Sequence, residues 1–154
     1  MSTEVITVGV DGSEPSNTAF RFAIEEAHRR QATIRAVTIW EASSLYTAGG
    51  VADLVDWRYQ DYSEAAQALQ NEAIDSVLAT IPADQHPEID RQVIQGEPGY
   101  ALVETARDTA LLIVGTEHKG LLKRIAQGSI SSYCTRYSQI PVVIVPFVRK
   151  SNAS

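Results

Sequence analysis

A chain of 154 residues with a formal charge of −6 has the size of one domain, which buries about two thirds of its unfolded surface in a single core. The negative charge argues against general affinity for nucleic acid or anionic membrane, and the one cysteine, Cys134, excludes an internal disulfide. No apolar run nears the roughly 20 residues that cross a bilayer, and MSTEVITVGV lacks a cleavable apolar leader, so the expectation is a soluble, cytoplasmic protein.

The segment 4–10, EVITVGV, is β-branched and apolar, and DGSEP follows it with turn residues and a proline suited to a first helical turn. Phe20, Ala23, Ile24 and Ala27 then recur at helical spacing up to about Arg30. TIRAVTIW, 33–40, reads as the second strand. Residues 41–58 show no sustained period and contain Gly49-Gly50, which predicts a long connection, either a lid or an ordinary surface insertion. Tyr62, Ala66, Leu69, Ala73, Val77 and Ile81 mark a helix of about five turns closed by Pro82.

EIDRQVIQ, 88–95, predicts a third strand running through GEPGY into a helix with Ala101, Leu102, Thr105 and Ala106 on one side. LLIVG, 111–115, is the fourth strand. Ile130, Tyr133, Cys134 and Tyr137 stand at helical spacing, and IPVVIVP reads as a short fifth strand bracketed by Pro141 and Pro146. The domain spans 1–148, with 149–154 as a fraying tail. Strand and helix alternate four times before a final strand, the pattern of a parallel sheet covered on both faces. Such a sheet gathers its strand-to-helix loops at the carboxyl edge, where ligands bind at the reversal of strand order.

Two of those loops carry the chemistry. In GTEHKGLLKRIAQGSIS, 115–131, Gly115 ends a strand and is expected to allow a sharp turn and close approach of an anion to the main chain. Gly128-Ser129 opens a helix, where N–H groups of Ser129, Ile130 and Ser131 and the hydroxyls of Thr116, Ser129 and Ser131 could hold phosphate. A turn glycine followed by a serine N-cap accounts for the same residues. Lys119, Lys123 and Arg124 form a local basic cluster, which is also what a solvated patch looks like. His28, His86 and His118 lack metal-ligand spacing with Cys134, and Cys134 lies on the apolar stripe of its helix.

Gly115, two residues, position 118, nine residues, Gly128 and Ser129 resemble the nucleotide loop of the universal stress protein family. VGVDGSEPS, the strand ending TIW, GEP, LLIVG and IPVVIV extend the resemblance over nearly the whole chain. The resemblance implies a five-stranded parallel sheet in the order 3-2-1-4-5, an adenine-nucleotide ligand (ATP, ADP or AMP) and a homodimer. It assigns Asp11, within Val10, Asp11, Gly12 and Ser13, to the ribose or a bound Mg²⁺. The Ile39 backbone falls to the adenine edge beside Val10 and Trp40, and Gly115, Thr116, Gly128, Ser129, Ile130 and Ser131 to phosphate and ribose. An Asx turn and a core isoleucine are the alternatives for Asp11 and Ile39.

His118 departs from the family, whose second glycine stands there. Were φ positive at that position, the histidine would cost on the order of 1 kcal/mol, and its ring, with Lys119, would either donate to phosphate or obstruct it. The functional expectation is an ATP-binding stress-response regulator or sensor with an unidentified protein partner. The alternatives are a homodimeric interaction module without nucleotide and a slow ATPase or phosphohydrolase using Asp11 or His118. Dimerisation is expected through Val142, Val143, Ile144 and Val145 of the fifth strand, an apolar edge.

Overall fold

The computed structural model describes residues 3–41, 55–118 and 130–148, with side chains for all of these except 55–60 and 118. Five strands, β1 (Val5–Gly9), β2 (Thr33–Trp40), β3 (Ile89–Gln95), β4 (Leu111–His118) and β5 (Val142–Val148), form one sheet in the order β3-β2-β1-β4-β5. Every neighbouring pair is parallel, as the alternation of elements requires. The helices are α1 (Glu14–Arg30), α2 (Val55–Leu78), α3 (Pro98–Ala106) and α4 (Ile130–Tyr137), with a 3₁₀ turn at Ala83–Gln85.

The two faces of the sheet bury separate sets of side chains, as the period of two along each strand dictates. On one face Ile6, Val8, Ile34, Ala36, Leu111 and Ile113 meet Phe20, Ala23 and Ile24 of α1 and Ile74 and Val77 of α2. On the other, Val37, Leu112 and Val114 meet Leu102, Val103 and Ala106 of α3 and Cys134 of α4. The chain leaves β1 and β2 for the first face and β3 and β4 for the second. Strand order therefore reverses between β1 and β4, and a crevice opens at the carboxyl edge there.

Local signals set the helix ends. Ser13 caps α1, its hydroxyl accepting from the Ser16 N–H at 3.3 Å, and Pro15 sits in the first turn where no N–H is needed. Gln31 ends α1 at φ 56°, the left-handed conformation of a C-terminal cap. The His86 ring lies 3.0 Å from the Leu78 carbonyl and 2.8 Å from that of Ile81, pinning the chain just past α2.

The structure moves four predicted boundaries. α2 begins at Val55 and stops at Leu78, so residues 55–58 of the expected connection are helical, Ile81 lies beyond the helix, and 42–54 fall outside the described residues. β4 does not end at Gly115 but continues through His118, paired residue for residue with β5 as far as Val148. The sharp turn expected at Gly115 is absent. His118, the last residue of β4 and opposite Val148, has strand backbone, so the left-handed strain expected of it does not arise. Pro146 lies inside β5 and does not bracket it. The Leu112 N–H donates to the Pro141 carbonyl at 3.0 Å, so alternation points odd-numbered residues of β5 at β4 and even-numbered ones outward. The N–H that proline lacks would have faced away from the sheet, where an edge strand tolerates its loss.

Candidate functional site

The first wall of the crevice is the turn after β1. Asp11 accepts from both the N–H (2.9 Å) and the hydroxyl of Ser13 through Oδ1, while the Asp11 N–H donates to Ser16 Oγ at 3.0 Å. Ser16 Oγ in turn donates to the Gly9 carbonyl at 3.2 Å. This Asx turn fixes the exposed carboxylate at the mouth of the crevice, and Oδ2 has no protein partner among the described residues. Gly12 has φ +83°, which side chains other than glycine rarely adopt, so this turn requires its glycine.

The second wall is the end of β2. Along a parallel strand successive peptide groups face alternate neighbours. The Val10 N–H donates to the Val37 carbonyl at 2.8 Å, toward β1, and the Gly96 N–H donates to the Trp40 carbonyl at 3.0 Å, toward β3. Ile39 therefore faces the β1 side, but β1 ends at Gly9, opposite Val37. The Val10 carbonyl, next in line to receive it, accepts instead from Thr38 Oγ1 at 2.7 Å. The Ile39 N–H and C=O are thus turned to the crevice with no backbone partner among the described residues. Its side chain packs beside Val37 and Ile94, so the residue is both core and open backbone edge.

The third wall is β4. Gly115 faces α1, and a Cβ there would collide with the Pro15 carbonyl and come within 3.1 Å of the Ser16 nitrogen. Glycine is required for strand-on-helix contact, so the space read as anion access is filled by the first turn of α1. Thr116, half-buried, is paired in register with Pro146. Ile130 and Ser131 begin α4, Ile130 exposed and Ser131 half-buried. Lys119, Gly128, Ser129 and the side chain of His118 lie outside the described residues.

Two contributions come from α2 and escaped the sequence reading. Tyr62 stacks on Trp40 with centroids 6.4 Å and planes 18° apart. A Cβ at Gly12 would meet Leu69 Cδ2 at 3.3 Å. Both residues stand on the stripe read as a core-facing face, and only the 42 % exposure of Leu69 marks its upper part as the rim of a site. Behind the crevice, Cys134 is fully buried, and burial pushes its thiol up to about 11. No group of three acidic, histidine or cysteine residues able to hold a metal occurs among the described residues. No helix of the described residues is long and apolar enough to cross a membrane.

A switch-point crevice with an open strand edge and an Asx turn is a frame shared by many folds, so kinship must decide what it serves. The model of the universal stress protein family matches residues 3–146. The chain belongs to the universal stress protein family. A universal stress protein of Mycolicibacterium smegmatis is 28% identical over 141 residues, covering 91% of this chain and 45% of the relative. The chain thus spans about half the length of the curated relatives it matches. Among solved structures, a universal stress protein in complex with cAMP matches with a TM-score of 0.66 and 23% identity, covering 95% of this chain and 98% of that one. The universal stress protein of Archaeoglobus fulgidus in complex with dAMP matches at 0.54 and 17%, covering 94% and 98%.

Proposed function

We propose that this chain binds an adenine nucleotide across the ends of β1, β2 and β4 and acts as a nucleotide-dependent regulator of the stress response. The observation that carries the reading is the Ile39 peptide edge, one donor and one acceptor turned into the switch-point crevice. Such a pair matches the N1 and exocyclic amine edge of adenine. The Asp11 carboxylate, held by Ser13 through Oδ1, suits a ribose hydroxyl better than phosphate, which it would repel. The cAMP and dAMP complexes of relatives with this fold support an adenosine ligand.

In this reading Thr116, Lys119, Gly128, Ser129, Ile130 and Ser131 hold the phosphates, and Mg²⁺, if bound with ATP, is held chiefly by phosphate and water. His118 lies at the end of a strand, so its backbone carries no left-handed strain; His118→Gly would tighten ATP binding if the histidine obstructs the phosphates and weaken it if the histidine is a ligand. Ligand state would bias contacts with a protein partner, and two copies would pair along β5. Calorimetry with ATP, ADP and AMP, each with and without Mg²⁺, tests the reading. Saturable binding of at least one nucleotide, abolished by Gly128→Asp, is expected. Absence of binding by all three would leave the interaction module in its place, and turnover lost in Asp11→Ala would favour a phosphohydrolase.

A further inference from the structure

An open cleft lies away from the switch-point crevice, between α1 and the segment that follows α2. Its volume is about 560 Å³, within the roughly 300–1,000 Å³ of small-molecule sites. The floor is apolar: Ile24 is buried in α1, Ile81 is half-buried against the same core, and Pro82 lies beside them. The far wall is fixed by the His86 ring, 3.0 Å from the Leu78 carbonyl and 2.8 Å from that of Ile81. Measured from the α1 cap at Ser13, Arg21 and Arg29 of this cleft stand about 12 and 24 Å along the helix axis. The cleft is therefore separate from the crevice.

Its rim is charged. Arg21, Glu25, His28 and Arg29 recur every three or four residues along one face of α1, and all four line the cleft. Arg29 pairs with Glu26 at 2.8 Å, whereas Arg21 is exposed and has no hydrogen bond or ion pair among the described residues. Two guanidinium groups against one carboxylate leave the rim formally positive, with the histidine neutral, on a chain whose charge is −6.

We propose that this cleft binds a free amphiphilic monocarboxylate, its apolar body on Ile24, Ile81 and Pro82 and its head group on Arg21. The planar fork of a guanidinium matches the two oxygens of a carboxylate, and the floor removes the apolar body from water. Glu25, one turn from Arg21, opposes a second negative charge, so a dianionic phosphate fits less well. The inference does not depend on the nucleotide reading, because none of these residues belongs to the crevice.

The test uses octanoate as probe, compared with 1-octanol, octyl phosphate and vesicles containing phosphatidylglycerol. Backbone amide NMR titrations are run on the wild-type chain, Arg21→Ala and Ile81→Ala, with a melting curve for each. Octanoate is expected to bind saturably, shifting amides of residues 21–29 and 80–85 and leaving those of 11–13 in place. Octanol, which lacks the carboxylate, and octanoate on Arg21→Ala should each bind about tenfold more weakly, the scale of one lost charge-assisted hydrogen bond. Ile81→Ala should weaken octanoate about tenfold by removing floor. Arg21 is exposed, so its variant carries the test should Ile81→Ala fail to fold. No saturable octanoate binding at millimolar concentration, or binding that Arg21→Ala leaves unchanged, overturns the proposal. Tighter binding of octyl phosphate than of octanoate, or Arg21-dependent binding to the vesicles in place of octanoate, overturns it as well. All of these results leave the nucleotide reading to its own calorimetry.

Discussion

Gly115 shows how one residue can satisfy a motif for a reason the motif does not state. In the sequence it stands where a phosphate loop begins, and its lack of a side chain reads as room for an anion. In the fold that room is taken by the Pro15 carbonyl. Gly115→Ala is therefore expected to destabilise the chain by about 1–3 kcal/mol, the usual cost of overpacking, because backbone on both sides must yield. Urea denaturation showing unchanged stability would refute the contact. Gly12 was legible because turn residues surround it, and Asp11 because VDGS has an Asx-turn composition. Tyr62 and Leu69 were not, since helical spacing tells which side of a helix is apolar but not where along its length the core gives way to a site.

At the scale of elements, the strands and helices follow from periodicity, and the misplaced boundaries have physical causes. LLIV is so apolar that it reads as the whole strand, yet β4 runs on through Thr116, Glu117 and His118 because β5 supplies partners for their backbone. α2 starts before its apolar stripe does, since residues 55–61 require only helix-compatible backbone. The α4 stripe is read correctly, and its burial has a consequence for pH. Cys134 is fully enclosed against Leu102, Val103 and Val114. Its thiol rises from an ordinary value of 9.0 to about 11. Below pH 9 folded and unfolded chains both hold this proton. Between about pH 9 and 11 the unfolded chain releases it and the folded chain does not, so stability falls with rising pH. The loss from this group should approach about 2–3 kcal/mol by pH 11, because each pH unit across that window removes about 1.4 kcal/mol. Cys134→Ala should flatten that part of the profile in urea titrations; an identical slope would assign it to other groups.

For the whole molecule, alternation of strand and helix sufficed to specify a parallel sheet, while the order 3-2-1-4-5 came from the family resemblance, and the structure bears out both. The proposed pairing of two copies would use the β5 edge. Val143 and Val145 already pack on the α1 face, and Val142 and Ile144 on the α3 and α4 face, so the side chains first seen as a sticky patch are largely committed to the core of their own chain. What remains for a partner is backbone: the N–H groups of Val142, Ile144 and Val148 point outward, that of Val143 inward. Hydrogen exchange on the protein at micromolar and higher concentration is expected to show Val142 and Ile144 slowing as it dimerises, with Val143 slow throughout. Rapid exchange at Ile144 in a species that sediments as a dimer would place the interface elsewhere.

Pro146 gives that edge a further property. A strand with an unbroken row of donors accepts another strand at any offset, and sliding by two residues costs little. A strand with one donor deleted does not: any alignment that sets a buried carbonyl opposite residue 146 leaves an acceptor unmet, a penalty of about 1–3 kcal/mol. The missing hydrogen thus acts as a notch, admitting a few alignments of an incoming strand and rejecting the rest. This backbone edge is thereby selective about offset before any side chain is consulted.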